Sequence, residues 1–470
     1  MLEAIRYRGV LIGDAGVDGE RKADHAVPNV ASGVRLSATR WLVAHNTADM
    51  RGCDANRSIL YQIRSDAPDG PIVRRGVFAR PDDDLDPLGV GRRFWRGCST
   101  PKVFGVPKGA TRHGRPLPHA NRFVLVFSTK VRMAHEGRLI QPLVKADWPE
   151  DVPAEWWRRT QTVLSPVRQI VQFRLNGAED DIEILAPRRD LRQVGFDGEA
   201  DHCRHGPGLM VEPWCEPVPA NADATDWIET SCYNPSSEDI VHNARGRALV
   251  TIRFAWNPTT GLYEWTETGD LVHQPPDVHP MEPSLSPTDD GDWIVTIRTY
   301  DDGGVTRWCR TDDPFRRLGP ATIAPDTYGQ RVAARCPDGG LRIFLNDQNR
   351  SPYHDKRNPL YCCDVDPHTF EYTQRDVVWD ARAAGAPFQV PFIDHVCLLP
   401  PLGNRQLLPF RAITARQIWN AGSAHPPLRP DEVAGSGIHY AELVYDRDAQ
   451  PRWTFEPAGP EAGRDPDRRP

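Results

Sequence analysis

Glu282-Pro-Ser-Leu-Ser-Pro-Thr-Asp-Asp-Gly-Asp-Trp-Ile-Val-Thr-Ile-Arg298 is the stretch whose reading decides the fold. An acid stands at its head and an Asp-Asp-Gly-Asp turn reverses the chain. Trp293-Ile-Val-Thr-Ile297 then reads as a strand ending on an arginine. Asp338-Gly-Gly-Leu-Arg-Ile-Phe-Leu345 is a near copy of the hairpin that starts at Asp290. A second long segment has the same character. It runs from His25-Ala-Val-Pro-Asn29 through Arg40-Trp-Leu-Val-Ala-His45 to Asp54-Ala-Asn-Arg-Ser-Ile-Leu-Tyr-Gln-Ile-Arg-Ser65.

Outward from these segments, short apolar or alternating runs recur along the chain. Examples are Phe123–Phe127, Val167–Phe173, Ala248–Phe254 and Gln406–Phe410, each bounded by Gly, Asp, Pro or Asn. A unit of loop, strand, Asp/Gly turn and strand returns at 35–70, 248–268, 283–314, 333–367 and 396–411. Recurrence of this kind predicts an all-β, six-bladed β-propeller of four-stranded antiparallel blades with short helical insertions. The alternative is a pair of β-sandwiches. Only Pro153–Leu164 reads as a helix. The expected organisation is one propeller domain over 1–456, with a disordered Pro/Gly/charged tail over 457–470.

The 470 residues carry 45 Pro and 37 Gly, with Pro at about twice its usual frequency. Such punctuation favours strands and turns over long helices. The net charge of −7 and the absence of a Lys/Arg block argue against a nucleic-acid partner. No apolar run is long enough for a membrane helix. No signal peptide is evident, so the expectation is a cytoplasmic protein whose ten cysteines are mostly reduced, buried thiols. His202, Cys203 and His205 form one short metal-like group without a second ligand pair. No metal or other cofactor is expected.

The residues from His25 to Gly70 resemble the opening blade of the sialidase superfamily, the Asp-box (BNR) propellers. Val27-Pro28 stands at the Ile-Pro place and Asp54 at the catalytic acid's place. Ser65-Asp66 with Asp69-Gly70 resembles a stretched Asp-box. Glu282 and Arg298 match the family's Glu and second arginine, and Thr311-Asp-Asp-Pro-Phe315 a degenerate box. Arg357 falls on the third arginine and Asp394 on the nucleophilic tyrosine. The first arginine falls on Ala26.

The resemblance therefore implies a sialidase-like glycoside hydrolase that has moved away from sialic acid, with carbohydrate as its partner. Asp54 is the implied acid/base, Asp394 the nucleophile or base, and Glu282 an assisting carboxylate. Such cleavage needs one carboxyl to protonate the leaving oxygen and another to attack or to activate water. Arg298 and Arg357 would hold substrate hydroxyls or a carboxylate. His395, His45 and His119 are candidates to line the pocket, and Arg57 stands beside Asp54. Each has a plainer reading, since an Asp near a turn usually forms the turn and a lone His is usually structural. Trp41 and Trp293 read as core. Trp95 is the better sugar-stacking candidate. Two other functions stay open. One is a uronate lyase using His119, His395, Tyr328 and Arg357. The other is a propeller that binds glycan without catalysis.

Overall fold

The structure is a computed structural model. It describes residues 1–13, 27–48, 56–85, 94–135, 138–140, 168–194, 209–210, 213–234, 248–273, 280–299, 304–316, 318–324, 331–353, 355–388, 390–414 and 434–455. Asp54, Tyr328, the 153–164 helix, the His202–Cys203–His205 group and the 457–470 tail lie outside these residues, as does the side chain of Trp95.

Strand β1 (Leu2–Ile12) opens the chain. The first complete sheet is a meander of β2 (Val27–Arg35), β3 (Arg40–Ala48), β4 (Asn56–Ser65) and β5 (Ile72–Ala79), in that spatial order. Next come β6 (Asp82–Leu85), β7 (Phe94–Val106) and a short hairpin of β8 (Ala110–Arg112) and β9 (Arg115–Pro116). They are followed by β10 (Arg122–His135), β11 (Arg138–Ile140), β12 (Arg168–Leu175) and β13 (Ile182–Asp190). The second sheet orders these as β13-β12-β10-β7-β6, with β11 on β10.

The third sheet holds β14 (Leu209–Met210), β15 (Val218–Pro219), β16 (Asp226–Asn234), β17 (Ala248–Asn257), β18 (Leu262–Thr268) and β19 (Val272–His273). Two four-stranded meanders follow. One is β20 (Pro280–Pro287), β21 (Trp293–Thr299), β22 (Thr306–Thr311) and β23 (Thr322–Ala324). The other is β24 (Arg331–Arg335), β25 (Leu341–Leu345), β26 (Leu360–Val365) and β27 (Tyr372–Trp379). The last sheet is β28 (Pro391–Asp394), β29 (Arg405–Thr414) and β30 (Gly437–Tyr445), with β1 added outside β30.

Neighbouring sheets share apolar cores around a closed ring. Leu42 and Ile63 meet Leu125 and Phe173. Val124 and Ile170 meet Ile252 and Phe254. Leu249 meets Val295 and Ile297, and Ile294 and Trp308 meet Ile343 and Leu345. Phe344 and Leu360 meet Ile393 and Leu408. Leu407 and Ile438 meet Ala31 and Val43 of the first sheet, which completes the circle. Each fully buried side chain of this kind is worth about 1.5–3 kcal/mol. Antiparallel pairing of β1 with β30, from Leu2 opposite Tyr445 to Ile12 opposite Ile438, ties the two ends of the ring together. It also covers what would otherwise be an exposed sheet edge.

The near-copy hairpins noted in the sequence are equivalent: each joins the first and second strands of its meander, β20 to β21 and β24 to β25. Gly291 and Gly339 turn them at φ of 93° and 86°, a region that favours glycine. The architecture is the all-β propeller read from the sequence. Among the described residues there are seven sheets: four of four strands, two of six strands where four were expected, and a small one in which β31 (Thr454–Phe455) joins β8 and β9. No helix occurs among the described residues.

Candidate active site

Three strands, β2, β7 and β20, carry register irregularities. Pairing of β2 with β3 shifts between Pro28 and Ala31, and pairing of β20 with β21 shifts between Met281 and Ser284. Pairing of β7 with β10 shifts opposite Phe127, across Thr100 and Pro101. A β-bulge places two residues against one and re-aims a side chain that regular alternation would send elsewhere. Thr100, Glu282 and His395 have φ of 50°, 45° and 49°. Positive φ at non-glycine residues costs about 1–3 kcal/mol each and gathers at functional sites.

Glu282 sits on the β20 bulge, buried, and accepts a 2.8 Å hydrogen bond at Oε2 from Arg298 Nη1. Arg298 reaches it from β21, where it lies opposite Met281. Asp394 ends β28 with its side chain 0% exposed. Arg411, its partner across the β28–β29 ladder, grips it bidentately: Nε donates to Oδ1 and Nη2 to Oδ2, both at 2.6 Å. Arg411 also bonds Asn29 Oδ1 through Nη1. Arg357 donates to Oδ2 of Asp394 from the segment just before β26. That segment is pinned beside β28 by the bond from Ile393 N to Arg357 O at 3.0 Å. The Arg357 guanidinium also lies 4.3 Å over the Phe392 ring.

Burial by itself would raise the Asp394 carboxyl. The charges of Arg411, His395 and Arg357 and the Arg411 hydrogen bonds outweigh it and hold the group far below the usual carboxylate range. For Arg357, burial works against the charged form; Asp394 and Glu282 favour that form, while Arg298 and Arg411 oppose it. The two carboxylates and three arginines thus form one electrostatic cluster. His395 follows Asp394, half-buried, with its ring stacked on Trp214 at 5.7 Å and 11°.

Trp214 leads away from this cluster into a cavity of about 240 Å³. Lys102, Glu216, Leu285, Val396 and Cys397 line it with Trp214. Lys102 Nζ lies 3.0 Å from Glu216 Oε1, and Ser32 Oγ donates to Oε2 of the same carboxylate at 2.8 Å.

Of the residues singled out in the sequence, Glu282, Arg298, Arg357, Asp394 and His395 come together. His119 and His45 do not join them. His119 bonds the Asp223 carbonyl at 2.7 Å and packs with Trp256 and Tyr263, so it ties a loop to the core of the second and third sheets. His45 is buried in β3, opposite Ala31 and Leu60, and its charge interactions are with Arg64 and Arg75. Arg57 is half-buried at the start of β4. The residues named for a lyase are not assembled among the described residues, since His119 is elsewhere.

Three members of the cluster were missed: Arg411, Asn29 and Trp214. A signal for Arg411 is present in Leu407-Leu-Pro-Phe-Arg-Ala-Ile413. A cation within a continuous apolar strand must find a buried partner. The same holds for Arg168 and Glu229, which pair at 2.6 Å inside the second and third sheets.

The Ser65–Gly70 stretch forms the β4–β5 turn, with Gly70 N bonded to Ala67 O and Asp66 at φ 67°. The eight described cysteines are all free and buried. Among the described residues no group of three or more His, Cys, Asp or Glu is arranged to hold a metal ion.

No family model matches the sequence, and no curated protein matches it. Solved structures do resemble it. A protein of unknown function from Dyadobacter fermentans aligns with a TM-score of 0.54 at 9% identity, over 94% of this chain and 99% of the other. NanB bound to Optactamide aligns at 0.52 and 10% identity, over 93% and 70%. A Trypanosoma rangeli sialidase mutant displaying trans-sialidase activity aligns at 0.50 and 8% identity, over 89% and 54%. At these identities the likeness is one of fold. In fold, the chain resembles the β-propellers of sialidases.

Proposed function

We propose that the chain is a glycoside hydrolase acting on a sugar other than sialic acid, with Glu282 as its working carboxylate. The observation that carries this reading is the convergence of Glu282, Arg298, Arg357, Asp394 and Arg411 from separate sheets, at bulged or strained strand ends. Glu282 is held in orientation by Arg298. Asp394 has no exposed surface and its oxygens are engaged by arginines. Its role here is therefore to fix Arg357 and Arg411 rather than to attack the sugar.

Arg357 is the most exposed of the three arginines, at 17% against 8% for Arg298 and 3% for Arg411. It would contact substrate hydroxyls. In the proposed reaction Asp54, assigned from the sequence alone, gives its proton to the leaving oxygen as the glycosidic C–O bond breaks. Water adds to the anomeric carbon and its proton passes to Glu282.

The test is turnover of a panel of neutral aryl glycosides, aryl uronides and a sialoside by the wild type, Glu282→Gln and Asp54→Asn. Loss of turnover in both variants, measured per folded molecule, supports the hydrolase. A second reading is a glycan-binding propeller without catalysis, favoured by the arginine-saturated state of Asp394. Binding of sugar with no turnover in any form would select it.

A further inference from the structure

We infer that Asp394 is a built-in carboxylate ligand that fills the Arg357–Arg411 fork and keeps anionic sugars out of the site. The inference rests on the reading of this cluster as the substrate site. Two guanidinium groups converging on one carboxylate, one of them bidentate, is the arrangement by which proteins grip a carboxylate ligand. Here the carboxylate belongs to the chain itself, at the end of β28. Tethering gives it an effective concentration that a free anion does not reach.

A substrate carrying its own carboxylate would have to displace Asp394, or sit beside it. Either course leaves two like charges close together in a dry environment. A neutral sugar meets no such obstacle. The charge balance agrees, because Arg298, Arg357 and Arg411 face Glu282 and Asp394. Among these five described groups, removing Asp394 leaves three cations against one anion. The fork has support of its own: Asn29 holds the remaining arm of Arg411, and Phe392 underlies Arg357. It should therefore persist when the carboxylate is taken away.

The experiment is thermal unfolding of the wild type, Asp394→Ser and Asp394→Asn in sodium acetate and in sodium chloride at equal ionic strength. Asp394→Ser leaves a carboxylate-sized gap, whereas Asp394→Asn keeps it filled. The wild-type and Asp394→Asn midpoints should not distinguish the two salts. The Asp394→Ser midpoint should rise in acetate, in equal increments for each tenfold step once the site is saturated. If Asp394→Ser is unfolded in chloride, acetate should restore its folding.

Failure of acetate either to raise the midpoint of a folded Asp394→Ser or to restore an unfolded one overturns the inference. So would an equal acetate effect on the wild type. The readout is stability, so it stands whether or not the protein turns over any glycoside. Failure of the hydrolase reading would appear only in the turnover panel.

Discussion

Arg411 and Asp394 form a bidentate ion pair across adjacent strands, with both contacts at 2.6 Å and both side chains almost wholly buried. Removing one member of such a pair leaves the other charge without compensation in a medium that solvates it poorly. The lost interaction is then smaller than the penalty on the partner left behind.

Arg411→Ala should therefore lower the unfolding free energy by about 3–5 kcal/mol. Arg411→Lys should recover only part of this, because a single ammonium does not reproduce the two-pronged contact. Urea unfolding with an unchanged m-value would measure both. A loss below about 1 kcal/mol for Arg411→Ala would place the pair among those of little energetic consequence.

His45 sets a pH dependence of stability. Burial, with Arg64 and Arg75 adding to it, lowers its pKa from 6.5 to about 3. The unfolded chain therefore binds a proton at higher pH than the folded one. Stability from this group is full above pH 6.5 and is lost as pH falls from 6.5 towards about 3. His45→Gln should flatten the fall in stability across that window relative to wild type. Parallel curves for the two proteins would contradict the assignment.

Arg357→Lys should raise KM with a smaller change in kcat. Arg357 is the cluster arginine with the most exposed surface, and lysine keeps the charge while losing the planar fork. A selective fall in kcat would assign Arg357 to the transition state instead.

The positions of many strands were legible in the sequence. Trp41–Ala44, Ile59–Ile63, Trp293–Ile297 and Leu341–Leu345 all fall inside β3, β4, β21 and β25, because continuous apolar runs ended by Gly or Asp turns have few other uses. Glu282 with Arg298, and Arg357 with Asp394, were legible through their order along the chain. Asn29 was not, and Arg411 was signalled only as a cation inside an apolar strand, without its partner. Alternation assigns each strand residue to a face, but a bulge such as that between Pro28 and Ala31 changes the face midway. The register that sets Arg411 directly opposite Asp394 depends on pairing between β28 and β29, which spacing within one strand does not encode. His45 and His119 lie apart from the cluster as buried side chains, since a neutral imidazole is small enough to serve as a packing group.

The most direct test of the account is the rate of aryl glycoside hydrolysis by Glu282→Gln beside wild type, with thermal melting followed on the same samples. Removing a carboxylate that handles a proton in the reaction should cost about 10²–10⁴-fold in kcat per folded molecule, beyond any fall in the melting midpoint from losing its buried ion pair with Arg298. Full activity in Glu282→Gln, or a loss of activity that merely follows a loss of folded protein, would contradict the assignment of Glu282 as the working carboxylate.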